Sequence, residues 1–145
     1  MNCDFEKSIH SAVRATWENC QIRGCFFHLC KAWLSKVKAL GLYKNFLIDP
    51  NFRDSFRLCQ ALAYIPESDV ELGFDQISYQ APFSFKPVLE YIERVYIRKI
   101  DDKTKEKKQP RYPIATLNIN LRILSGLPTS NNPVESWHGA LTVII

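Results

Sequence analysis

Gln21-Ile22-Arg23-Gly24-Cys25-Phe26-Phe27 runs directly into His28-Leu29-Cys30-Lys31-Ala32-Trp33-Leu34-Ser35-Lys36-Val37-Lys38-Ala39-Leu40-Gly41, and the change of pattern along this stretch decides the fold class. The first part is short, partly alternating and rich in aromatic residues, as a half-buried strand would be, with Gly24 the residue that argues against it. Beyond it Leu29, Ala32, Trp33, Val37 and Leu40 recur at helical spacing. Gly41 follows where a left-handed C-cap is wanted. A strand feeding a helix points to an α+β fold.

Upstream, Phe5, Ile9, Ala12, Val13 and Thr16/Trp17 repeat with a helical period, which predicts an amphipathic helix with Asp4 at or just before its N-terminus. Downstream, Asp49-Pro50 reads as an N-cap followed by proline at the first helical position, and Phe52, Phe56, Cys59 and Ala63 form the buried face of that helix. Pro66 repeats the device. Val70, Phe74 and Ile77 make the next stripe, a loop covers residues 80–86, and Val88, Leu89, Ile92, Val95 and Tyr96 make another helical face. Residues 98–108, Arg-Lys-Ile-Asp-Asp-Lys-Thr-Lys-Glu-Lys-Lys, have no apolar period and precede Pro110 and Pro113, so an exposed, mobile loop is expected. Residues 114–124 are apolar and fit strand or helix. A final helix is expected after Asn131, with Asn132 as N-cap, Pro133 at its first position and Glu135 completing a capping box. The chain is therefore predicted to be mainly α-helical, with a small β contribution near Ile22 and a further one within 114–123.

A length of 145 residues suits one domain or part of one, and 46% apolar content suits a folded chain. No apolar run is long enough to cross a bilayer, and the first residues lack a secretion signal's basic and apolar regions. Five cysteines at irregular spacing (Cys3, Cys20, Cys25, Cys30, Cys59) suit a reducing compartment. A soluble, intracellular, non-membrane protein is expected. The formal charge of +4, from 19 Lys+Arg against 15 Asp+Glu, is compatible with a polyanionic partner without demanding one.

Three constellations could carry chemistry: Asp4-Phe5-Glu6, Gly24-Cys25-Phe26-Phe27-His28, and Asn131-Asn132-Pro133-Val134-Glu135-Ser136-Trp137-His138. Each has a plain structural reading, with Asp4 a helix cap, Glu135 a capping-box member, and Cys25 with His28 a packed thiol and a satisfied imidazole. Their order and wording, however, resemble the catalytic domain of the Mutator-like (MULE) transposases. The likeness runs from Asp4 through the Gly-Cys-Phe-Phe-His-Leu segment and Leu40-Gly41-Leu42 to Asn-Asn-x-x-Glu-x-Trp-His, ending near Leu141. Residues 57–63 and 91–97 share the family's texture.

That resemblance implies the C-terminal half of an RNase H-like DDE core, in which two aspartates and a glutamate hold Mg²⁺ or Mn²⁺, interrupted by a helical insertion. Residues 1–28 would supply a core helix and strand, 29–110 the helical insertion and basic loop, and 111–145 the return to the core with the glutamate-bearing helix. Asp4 takes the place of the second aspartate and Glu135 that of the glutamate, as catalytic and metal-holding residues. Cys25 and His28 match the family's C-x-x-H pair. The family's first aspartate and first strands have no counterpart, since only Met1, Asn2 and Cys3 precede Asp4; a remnant, inactive alone, is expected. Leu117 and Pro128-Thr129-Ser130 depart from the family pattern without removing a carboxylate. Intact relatives cleave DNA and transfer strands, a reaction two divalent cations about 4 Å apart support through hard oxygen ligands. DNA (transposon ends and target) as partner, nuclear action and oligomer formation follow from the same resemblance. Cys25 and His28, with His138 as a third ligand, could instead be a zinc half-site, although a structural zinc site needs four ligands. Arg98, Lys99, Lys103, Lys105, Lys107 and Lys108 are candidate DNA contacts. The competing class is a non-catalytic helical DNA- or protein-binding module in which the acids are only caps.

Overall fold

The computed structural model describes residues 2, 3, 5, 7–17, 19–101, 103, 104 and 106–129, with Asn2, Cys3, Lys7 and Ile9 described by backbone alone. The fold is mainly helical with two very small sheets. Strand β1 (Asn2–Cys3) is followed by helix α1 (Lys7–Thr16) and strand β2 (Arg23–Gly24), and the two strands pair in parallel, Asn2 opposite Arg23 and Cys3 opposite Gly24. A helix between two parallel neighbours is the minimal crossover unit. Helix α1 begins at Lys7, later than the expected start at Asp4. It buries His10 and Val13.

The strand expected across 21–27 shrinks to a two-residue bridge, because helix α2 (Phe26–Ala39) already starts at Phe26. Cys25 is extended and makes no side-chain cap. A distant residue caps the helix instead: the Phe26 N–H donates to the Thr129 carbonyl at 3.1 Å. Leu29, Trp33 and Val37 line the buried face as expected. At the other end Leu42 N–H donates to Val37 O and Gly41 N–H to Lys38 O, at 3.0 and 2.9 Å, with Gly41 at φ 73°. These paired bonds are a Schellman closure, which explains the glycine.

Helix α3 (Tyr43–Ile48) leads to α4 (Pro50–Ala61), where the Asp49 carboxylate accepts from the N–H groups of Asn51 at 2.9 Å and Phe52 at 3.3 Å. Phe52, Phe56, Cys59 and Ala63 are all buried, as predicted. Pro66 precedes a 3-10 turn, Glu67–Asp69, rather than occupying a first helical position; helix α5 (Val70–Gln80) starts after it and buries Val70, Phe74 and Ile77. The expected 80–86 loop contains a 3-10 turn, Phe83–Phe85, that drives Phe85 edge-on against Phe52 at 4.8 Å between centroids. Helix α6 (Lys86–Ile92) passes into a π turn, Glu93–Ile97, so Val88, Leu89, Ile92, Tyr96 and Ile97 all face the core.

Two further expectations are corrected. Within 98–108, where an exposed, mobile loop is expected, the strand residues are exposed, but β3 (Lys99–Ile100) and β4 (Lys107–Lys108) pair antiparallel as a hairpin. Its turn is set by Asp101, whose carboxylate accepts from the N–H groups of Lys103 and Thr104 at 2.9 and 3.0 Å. Such Asx turns need no apolar pattern. The stretch 114–124 adds no strand: it folds as α7 (Ile114–Leu117) and α8 (Asn120–Leu124). Asn118 between them donates to the Ile65 carbonyl at 2.7 Å, and Ile119 N–H donates to Ala63 O at 2.8 Å, docking both helices on the 3-10 turn, Leu62–Tyr64, that follows α4. No helix among the described residues is long and apolar enough to cross a membrane.

Candidate functional site

The point where distant parts of the chain converge is β2. Its Gly24 carbonyl accepts from Arg122 Nη1 at 2.9 Å, and Arg122 Nε donates to the Pro128 carbonyl at 2.9 Å, with Nη2 donating to the same oxygen. One guanidinium thus clasps β2 and the segment at 128. The neighbouring Phe26–Thr129 bond repeats the tie one residue on. Arg122 is only 4% exposed, and burial, with the nearby Arg23 charge adding to it, holds its pKa below the usual guanidinium range. In the sequence it is a lone cation between Leu121 and Ile123 within an apolar run, and that is the mark that singles it out.

Arg23, on β2 itself, donates to the Ala115 carbonyl at 3.3 Å and to Gln21 Oε1 at 3.1 Å, and lies 3.7 Å from Glu67. These bonds tie β2 to α7. On the opposite side, Phe5 stands edge-on to Tyr96 and Tyr112 at 5.6 and 5.2 Å, and the Tyr112 hydroxyl donates to the Phe5 carbonyl at 2.7 Å. The bend between β1 and α1 is thereby locked to the helical block.

Of the residues singled out from the sequence, Asp4, Lys105, Glu135 and His138 lie outside the described residues, as does the helix expected after Asn131. Cys25 is fully buried at the start of α2. His28, half-buried in the first turn, lies edge-on to Phe27 at 5.4 Å. Among the described residues no three His, Cys, Asp or Glu side chains gather in a way that could hold a metal ion.

The basic candidates divide into two groups. Arg98 is enclosed by carboxylates: Nε donates to Glu93 at 2.8 Å, Nη1 to Asp75 at 3.2 Å and to Glu71 at 3.4 Å, and Nη2 to Asp75. Lys107 donates to Glu71 at 2.6 Å, and Lys108 to Asp101. All three are ion-paired within the molecule, Arg98 largely covered and Lys107 and Lys108 at the surface. Lys99 and Lys103 are exposed. Comparison with known proteins adds no relative: no family model matches the chain, and no curated protein or solved structure matches it either.

Proposed function

We propose that this chain is part of a MULE-type DDE transposase core, with Asp4 and Glu135 as its carboxylate ligands for Mg²⁺ or Mn²⁺ and DNA, in the nucleus, as its substrate. The observation that carries the reading is the convergence on β2. Asp4 immediately follows β1, which pairs with β2, and Thr129 is hydrogen-bonded one residue beyond Cys25. Glu135 lies six positions after Thr129, a reach of at most about 20 Å even if fully extended. The chain next to Asp4 and the chain that leads toward Glu135 are thus tied to the same short stretch, although the two acids stand at opposite ends of the sequence. The parallel strand–helix–strand unit, followed by a helical block before the chain returns to β2, is also the order that an RNase H-like core with an insertion requires.

Two carboxylates are the hard oxygen donors that suit such a cation, so the donor set fits. When bound, the metal would supply charge neutralisation at phosphorus and activation of the attacking oxygen. The rest falls to the protein. Asp4 and Glu135 would hold the cation, while Arg122 and the Phe26 N–H keep the 128–129 segment against β2 so that the second acid starts from a fixed point. Cys25, just before α2, and His28, in its first turn, serve packing in this reading.

Mn²⁺ titration followed by the electron paramagnetic signal of the free ion tests the ligand assignment. The parent chain should bind the ion, and Asp4→Asn or Glu135→Gln should each weaken binding about tenfold or more, the size of a lost charged ligand, with the thermal midpoint little changed. Binding that survives both substitutions overturns the reading, since a helix-capping glutamate tolerates glutamine.

A further inference from the structure

An open groove of about 500 Å³ lies against the β2 junction, with Gln21, Arg23, Arg122 and Ser125 on its polar side and Leu121, Leu127 and Pro128 on its apolar side. Its composition is one-sided. Two guanidiniums face it, and no Asp or Glu is among its described lining residues. Glu67 lies 3.7 Å from Arg23. Arg122 presents five N–H groups and commits three to the carbonyls of Gly24 and Pro128, which leaves one on Nη1 and one on Nη2 for another acceptor. A buried cation whose recorded partners are neutral carbonyls, with a second cation beside it, is electrostatically incomplete.

From these observations we infer that the groove is a binding site for a phosphate ester, its oxyanion held by Arg23 and Arg122 and its organic body lying against Leu121 and Leu127. Planar guanidinium forks match the oxygens of a phosphate better than any other side chain does. Ser125 and Gln21 add a hydroxyl and an amide at the same wall. The volume exceeds what a bare ion needs, and the exposed apolar wall suits a sugar or base carried on the phosphate. Two sources offer this chemistry: the backbone of a nucleic acid, or a small free phosphate ester. The site stands on these residues alone and does not depend on Asp4 or Glu135.

The test is a titration of the 145-residue chain in EDTA with inorganic phosphate and, separately, with a short oligothymidylate, read by thermal shift against chloride at matched ionic strength. Phosphate should raise the midpoint beyond chloride, and Arg23→Gln should weaken its binding about tenfold or more. Arg122→Lys, which keeps the charge but not the fork, should weaken it as well; Arg23→Gln alone remains decisive if that second variant fails to fold. Competition by oligothymidylate assigns the nucleic-acid source, and phosphate binding without such competition assigns the free ester. A phosphate effect no larger than chloride's, or one unchanged in Arg23→Gln, overturns the site. With EDTA present, either failure leaves the metal-ligand proposal untouched.

Discussion

Gly24 occupies a place where any side chain would collide. A Cβ built there overlaps the ring of Phe5 and comes within 2.9 Å of the Thr116 carbonyl oxygen. The carbonyl belongs to a helix backbone and cannot yield, and Phe5 is held edge-on against the stacked pair Tyr96 and Tyr112. Gly24→Ala should therefore destabilise the protein by about 1–3 kcal/mol, the usual cost of overpacking, as a lower midpoint in urea denaturation. An unchanged midpoint would contradict the packing of β2 between Phe5 and α7. In the sequence this glycine reads only as a blemish in a strand. The residues that were legible at this scale, Asp49 as a cap and Gly41 as a C-terminal closure, act through neighbours within a few positions. Gly24 acts on residues 19 positions before it and 92 after it, which a local pattern cannot express.

The hairpin β3–β4 shows where pattern reading fails for a whole element. Its strands are two residues long, its paired positions Lys99 and Lys108 carry like charge, and no alternation announces it. Like charges opposite one another oppose pairing; ion pairs to other elements hold it in place, chiefly Arg98 to α5 and to Glu93, and Lys107 to Glu71. The helices α2, α4, α5 and α6, in contrast, were readable because each buries a regular stripe on its own. A pH dependence follows. The hydrogen bond from Arg98 holds the Asp75 carboxyl below its ordinary 3.8, and that from Lys107, aided by Arg98, holds Glu71 below 4.5. Depressed folded-state values mean stability that is present above the ordinary range and lost as pH falls through the lowered ones. Both acids are partly exposed, so solvent screening keeps the effect modest. Arg98→Met should lower the thermal midpoint at neutral pH and flatten its decline between about pH 5 and pH 2. Parallel curves for parent and variant would show that these pairs do not anchor the hairpin.

At the level of the whole molecule, the helical block was legible and the junction was not. The block is built from contacts between stripes that are each visible locally, with Trp33, Phe52, Phe74, Phe85 and Tyr96 at its centre. The junction joins residues 24 and 26 to residues 122, 128 and 129, and it uses carbonyls and amide groups that every residue carries. Only the Arg122 side chain leaves a mark in the sequence. The same junction carries the functional proposal, because it draws together the chain leading out of β1 and the chain leading toward Glu135. Substituting Fe²⁺ for Mg²⁺ and adding hydrogen peroxide, with ascorbate to return Fe³⁺ to Fe²⁺, generates hydroxyl radicals at a bound iron, which cut the nearest backbone. Cleavage of the parent chain at two places, around residue 4 and around residue 135, with both cuts lost together in Glu135→Gln, is the predicted result; cuts at one end alone, or a pattern indifferent to that substitution, would show that the two acids do not share an ion.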